Sequence, residues 1–381
     1  MHRLTRTLPA AMALALLASG KPEYRPMLSD YAGMVAEYRA EGFATWHYGY
    51  AIMFLAEYVM ATGDDSVMPG LKRLALESAH GQSLVGTWGH TFALPDGRVG
   101  GYGCMNSPGI PLAISMVLAR EAGVQDPDLD RAITRAAGFL RWYVNKGAIP
   151  YGDHHPWPGH EDNGKCSMAA VLFDLLGDRE AATFFAKMSV AGYDERERGH
   201  TGNFFNILWA MPGVSRCGPL ATGAYWRQQA WYYDLARGWD GSFRYQGSPV
   251  GEEEHRKYTH WDNTGTYLLA YALPLKSLYL TGRKASSVPA LEAAEVDEVI
   301  AAGRGYFPRK QTVSATKIGA TSSCSPDCPV GPPQSASARP RNSADVTVTS
   351  YRLSWNCWKP PIAIPATGPS KHLETSARSV I

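Results

Sequence analysis

The chain has 381 residues, of which 45% are hydrophobic, 19% charged and 11% aromatic, and it carries a formal net charge of +2. That length holds one large or two ordinary domains with a substantial core. No apolar run reaches 18 residues, so the composition disfavours an integral membrane segment, a collagen-like chain and a wholly disordered one, and the charge leaves no basic footprint for nucleic acid. The partner expected is a glycan or other small-molecule substrate; the sequence does not fix an oligomeric state.

The first 20 residues admit two readings. Two arginines followed by the apolar run from Leu8 to Ala18 have the layout of a secretory signal, which would make the protein secreted or periplasmic. Against this, residues 17–28 parallel residues 60–71: a helix end, a capping glycine, a polar turn and a new helix. In that case residues 8–18 form a packed helix.

Residues 21–307 read as repeated helical hairpins. Helix-ending glycines recur at Gly20, Gly63, Gly123, Gly177 and Gly282, each followed by a polar turn and an amphipathic stretch such as 128–144 or 179–191. Asn106, Asn163, Asn203 and Asn263 each stand just before an apolar run, in the setting of a helix N-cap. Those runs, 110–122, 168–176, 204–211 and 267–280, are apolar nearly all round. A helix apolar on every side is buried, and a one-sided helix lies outside it. The expectation is an all-α fold, an α/α toroid of about five to six hairpins forming a complete or incomplete barrel; a straight solenoid of helical pairs is the alternative. Long Gly/Trp/His-rich loops precede the inner helices, and loops of that length in a compact fold usually line a site.

These loops would gather at one end of the barrel, and they hold most of the histidine, tryptophan and paired carboxylates. The densest cluster is Asp153, His154, His155, His160, Glu161 and Asp162. Two carboxylates flanking a glycosidic bond, one as acid and one as base, would make a glycoside hydrolase. Glu161 is the first choice, with Asp153 or Asp262 opposite. Trp88, Trp157, Trp239 and Trp261 offer faces for sugar rings, and His90, Tyr102 and Asn106 stand in the same loops. His200 and Asn203 with Tyr102 or Tyr151 suit a different chemistry, β-elimination on a uronate, in which Asn neutralises the carboxyl group while His and Tyr move protons. Further alternatives are a non-catalytic carbohydrate- or protein-binding scaffold and a prenyltransferase- or terpenoid-cyclase-like enzyme. No cofactor is expected. Asp153, His155 and His160 are the set that would hold zinc, without the spacing of known zinc motifs, and calcium is no better supported. Cys104, Cys166 and Cys217 read as small packing residues.

The charge divides at the end of this body. Residues 1–307 carry 28 Lys and Arg against 32 Asp and Glu, whereas residues 308–381 carry 9 against 3. The tail is rich in Ser, Thr and Pro and has no helical or strand period. It reads as a disordered basic tail or as non-native sequence after a frameshift. Cys324 and Cys328 within it lack a second ligand pair for zinc.

Several segments carry a family resemblance: Gly86-Thr-Trp-Gly-His90, Gly101-Tyr-Gly103 with Met105-Asn106, Gly152-Asp-His-His-Pro-Trp157, His160-Glu-Asp-Asn-Gly-Lys165, Gly199-His-Thr-Gly-Asn203 and Trp261-Asp262 with Thr264-Gly265. Over roughly residues 10–307 the chain resembles a large bacterial family of unknown function whose architecture is similar to the terpenoid-cyclase and prenyltransferase toroids. The resemblance implies a fold and brings no reaction. Neither the cyclases' Asp-rich acid motif nor the prenyltransferases' Asp/Cys/His zinc set is recognisable.

Overall fold

A computed structural model of the chain describes residues 7–39, 41–157, 159–161, 164–192, 204–245 and 262–304. The tail after residue 304, and with it the choice between its two readings, lies outside them. The described residues form twelve α-helices and no strand, only isolated β-bridges, so the fold is all-α.

The helices are α1 (Thr7–Ser19), α2 (Arg25–Ala36), α3 (Ala44–Thr62), α4 (Met68–His80), α5 (Asn106–Glu121), α6 (Pro127–Arg141), α7 (Lys165–Leu176), α8 (Arg179–Ala191), α9 (Phe204–Val214), α10 (Pro219–Ala236), α11 (Thr264–Ala272) and α12 (Ala293–Gly303). Two kinds alternate. In α3 every residue from Ala44 to Tyr58 is buried, and α5, α7, α9 and α11 are enclosed in the same way. Helices α4, α6 and α8 bury one face, as their amphipathic sequences require. The enclosed helices pack in succession: α1 on α3, α3 on α5, α5 on α7, α7 on α9, α9 on α11 and α11 back on α1.

The α1 helix is a packed member of this set. Ala10, Ala11, Leu14, Ala15 and Ala18 are buried, and the contact with α11 is close because Gly265 has no side chain. A Cβ there would stand 2.3 Å from the Met12 backbone nitrogen.

Turn chemistry sets the hairpins. Gly63 and Gly177 end α3 and α7 in the left-handed conformation, with φ of 73° and 76°. Outer helices start on carboxylates: Asp126 accepts from the Asp128 N–H at α6, and Asp178 from the Ala181 N–H at α8. The last inner helix is shorter than its apolar run. A helix over 267–280 is expected, yet α11 stops at Ala272 because Leu273-Pro274-Leu275 turns as a 3-10 segment and Lys276 closes it with φ of 47°. Gly282 therefore sits in a turn and not at a helix end.

The chain after this turn is fastened to the inner helices by buried charge. The Glu57 carboxylate on α3 accepts the Tyr279 and Leu280 N–H groups at 3.1 and 2.9 Å. Arg216 pairs with Asp174 at 3.3 Å and donates to the Tyr279 and Leu280 carbonyls, while Asp174 accepts from Ser287.

Candidate functional site

The long loop at residues 81–105 and the described residues of the loop at 142–164 meet where α3, α5 and α7 begin. Asn106, the first residue of α5, binds them together. Its side-chain amide donates to the Pro150 and Gly152 carbonyls at 3.0 and 2.8 Å, and its backbone N–H donates to Tyr151. Asn106 is fully buried, Met105 holds the N-cap position, and the Asn106 side-chain oxygen accepts from the Thr87 hydroxyl at 3.3 Å, so the expected N-cap is in fact a clamp between loops. Tyr143 adds a second tie, its hydroxyl donating to the His154 carbonyl at 3.0 Å.

A line of rings runs across this rim. Phe43 stacks on His90 with centroids 4.0 Å apart, Tyr102 lies 5.9 Å beyond His90, and Tyr151 lies 6.1 Å beyond Tyr102. The Lys165 ammonium stands 5.6 Å from the Tyr151 ring centroid, within cation–π range. The Trp46 indole N–H donates to His90 Nδ1 at 2.8 Å. That bond needs a lone pair on Nδ1, so in the neutral imidazole the proton sits on Nε2. Thr45 donates to the Gly89 and His90 carbonyls and fixes the backbone beneath the ring. Tyr102 is 71% exposed, whereas Lys165 is fully buried.

The acidic candidates separate. Glu161 is buried, and its carboxylate accepts the Cys166 N–H at 2.9 Å, the Ser167 N–H at 3.0 Å and the Ser167 hydroxyl at 2.8 Å. It is the cap of α7, a role the sequence suggested for its neighbour Asn163. Asp153 is exposed on the loop, and its charge acts on the Tyr143 hydroxyl and the Cys104 thiol. Asp262 caps α11 by accepting the Thr264 N–H at 2.9 Å. Its neighbour Asn263 makes no cap bond. Asp162, Asn163, His200, Asn203 and Trp261 lie outside the described residues.

The aromatic candidates separate too. Trp88 is fully enclosed and donates its indole N–H to the Ser78 carbonyl at 2.8 Å, so its face is not open to a sugar. Trp157 is half exposed and Trp239 is 94% exposed. His154 and His155 are exposed. His160 is buried, and desolvation pushes its imidazole down to about 4. Cys166 and Cys217 are buried, and burial pushes the Cys217 thiol up to about 12, in keeping with packing residues. Among the described residues no three His, Cys, Asp or Glu side chains gather closely enough to hold a metal ion.

Lys165, although it closes one of the family segments, was not singled out in the sequence as a site residue, nor were Trp46 and Phe43. One signal for Lys165 was present: a cation in the first turn of an apolar helix opposes the helix dipole, a cost of about 0.3–1 kcal/mol that a purely structural residue would avoid.

The fold and rim thus define a helical-hairpin protein with a ring-lined, lysine-backed site at the start of its inner helices. The chain belongs to the family described as Domain of unknown function (DUF6288), which it matches over residues 6–282. Neither a curated protein nor a solved structure matches it. Among the described residues no helix is long and apolar enough to cross a membrane.

Proposed function

We propose that the inner helices close into an α/α toroid and that the protein is a glycan-active enzyme, cleaving a uronate-containing polysaccharide by β-elimination at the rim of that ring. The unbroken succession of packing from α1 through α11 and back to α1 supports the toroid. One observation carries the choice of chemistry: an exposed tyrosine, Tyr102, stands between His90 and Tyr151 with the buried Lys165 cation behind them.

In this reaction the proton α to the uronate carboxyl group leaves and the adjacent C–O bond to the next sugar breaks. The electron pair forms a ring double bond, and the departing oxygen takes up a proton. Tyr102 is the group placed to move the proton, His90 Nε2–H is a donor for the substrate carboxylate, and Lys165 supplies positive charge. The hydrolytic reading is less well served, since Glu161 is committed to α7 and Asp262 to α11. Its remaining support is the exposed group of Asp153, His154, His155 and Trp157. Between α1, α3, α9 and α11 the described residues leave a cavity of about 10 Å³, too small for a prenyl or terpenoid chain at that place.

The test is a panel of uronate polymers incubated with the full chain, read for the ultraviolet absorbance of an unsaturated uronide. Absorbance with the wild type and its loss in Tyr102→Phe, at unchanged helical circular dichroism, is expected. New reducing ends without absorbance would shift the reading to hydrolysis, and saturable binding without turnover to a scaffold.

A further inference from the structure

A cavity of about 530 Å³ opens among the ends of α1 and α3, the start of α2 and the turn after α11. That volume is in the range of small-molecule sites. It lies at the opposite end of α3 from Trp46. Sixteen residues separate Trp46 from Thr62 on its wall, about 24 Å at the α-helical rise.

The lining has a marked polarity. Leu16 and Leu28 give it an apolar floor, and Lys21, Arg25 and Arg283 stand around it with no carboxylate among the lining residues. The neighbouring acids lie behind the lining: Asp64 accepts the Tyr58 hydroxyl at 2.7 Å, and Glu57 holds the Tyr279 and Leu280 N–H groups and feels the charge of Arg283. Arg283 is positioned by its bond to the Met60 carbonyl. The Lys21 and Arg25 side chains form no ion pair among the described residues. Three cations around a concave, partly apolar surface whose lining holds no carboxylate suit an anion with a hydrocarbon body.

We propose that this cavity binds a small anionic amphiphile, its carboxylate or phosphate head among Lys21, Arg25 and Arg283 and its apolar part against Leu16 and Leu28. The site does not depend on the reaction assigned to the rim.

Titration calorimetry on the full chain tests it, with octyl phosphate, octanoate, inorganic phosphate and octyl glucoside as probes. Saturable one-to-one binding of octyl phosphate or octanoate is expected, with inorganic phosphate and the neutral glucoside at least tenfold weaker. Lys21→Gln/Arg25→Gln alters one half-buried and one exposed side chain outside the hydrophobic core. It is expected to weaken the anionic amphiphiles about tenfold or more, the equivalent of about 1.4 kcal/mol. Undiminished affinity in the double variant, absence of saturable binding by both anionic amphiphiles, or equal binding of the glucoside would overturn the site. Inorganic phosphate binding as tightly as octyl phosphate would overturn the amphiphile assignment.

Discussion

Replacing Glu161 by glutamine separates a structural carboxylate from a catalytic one. The wild-type side chain satisfies two orphan N–H groups at the start of α7 and the Ser167 hydroxyl, which in turn lies 2.7 Å from the Ser189 hydroxyl on α8. Glutamine keeps the shape but has one carbonyl oxygen in place of two carboxylate oxygens, so its amide N–H₂ must face a buried N–H. Losing a helix cap costs about 1 kcal/mol, and losing a hydrogen bond to a charged acceptor about 1.5–3 kcal/mol. The expected destabilisation is therefore about 2–4 kcal/mol. With an unfolding entropy of about 2.1 cal/mol/K per residue over roughly 300 residues, each kcal/mol lowers the midpoint by about 1.6 °C, giving a fall of about 3–6 °C. Differential scanning calorimetry reads this directly. A catalytic carboxylate predicts the reverse, because an active-site charge is commonly held at a cost to stability. A Glu161→Gln midpoint equal to or above the wild type, with turnover abolished, would refute the capping role.

Other consequences follow from the buried charges and the close packing. Burial pushes Glu57 up to about 7 and His160 down to about 4. Glu57 favours the folded state below its unfolded pKa and loses that contribution as pH rises toward 7. His160 contributes fully above its unfolded pKa and loses its contribution as pH falls toward 4. Each effect amounts to about 3 kcal/mol, and over the shared interval they oppose one another. Denaturant midpoints of the wild type should vary little between pH 4.5 and 6.5. His160→Leu should lose stability as pH rises through that interval, and an unchanged slope in this variant would contradict the assignment. Arg216→Leu leaves Asp174 buried without its cation and should cost about 3–5 kcal/mol in urea unfolding, part of which Asp174→Leu should recover. Gly265→Ala drives a Cβ into the Met12 backbone and should cost about 1–3 kcal/mol or more; no change in midpoint would mean that α1 does not pack there.

The hairpins were legible because they rest on local rules. Glycines that must take a left-handed conformation, and runs apolar on all sides rather than on one, are visible without any knowledge of tertiary contacts. The exceptions are equally local: Pro274 shortens the last inner helix, a breaker outweighed in the sequence by the apolar run around it. The capping residues were displaced by a different cause. Asn106 sits at a helix start, yet loop carbonyls at residues 150 and 152 compete for its amide and win. Beside Asn163 and Asn263, carboxylates at Glu161 and Asp262 do the capping, since a charged acceptor binds the helix N–H groups more strongly than an amide oxygen. The tryptophans were not separable at all. Trp88 and Trp239 both lie in Gly-flanked loops, but one is enclosed and the other open, because burial depends on which helix the loop lies against.

The capping pattern also limits what the rim can bind. Helix N-termini attract anions, and several inner helices begin near the same loops. Two of these ends are already neutralised by the protein itself, α7 by Glu161 and α11 by Asp262. An acidic sugar cannot use those ends without displacing a carboxylate already held by two or more donors. Positive charge for a substrate carboxylate must then come from a side chain, and the cation standing against the line of rings, beside Tyr151, is the buried Lys165. The same lysine stands at the first position of α7, four residues after Glu161. The Glu161 carboxylate offsets the dipole that would otherwise disfavour a cation at that position. On this view Glu161 serves the proposed chemistry at one remove, by making a buried lysine tolerable at the start of an inner helix. Neutralising it in Glu161→Gln should then weaken substrate binding through Lys165 as well as unlatch α7.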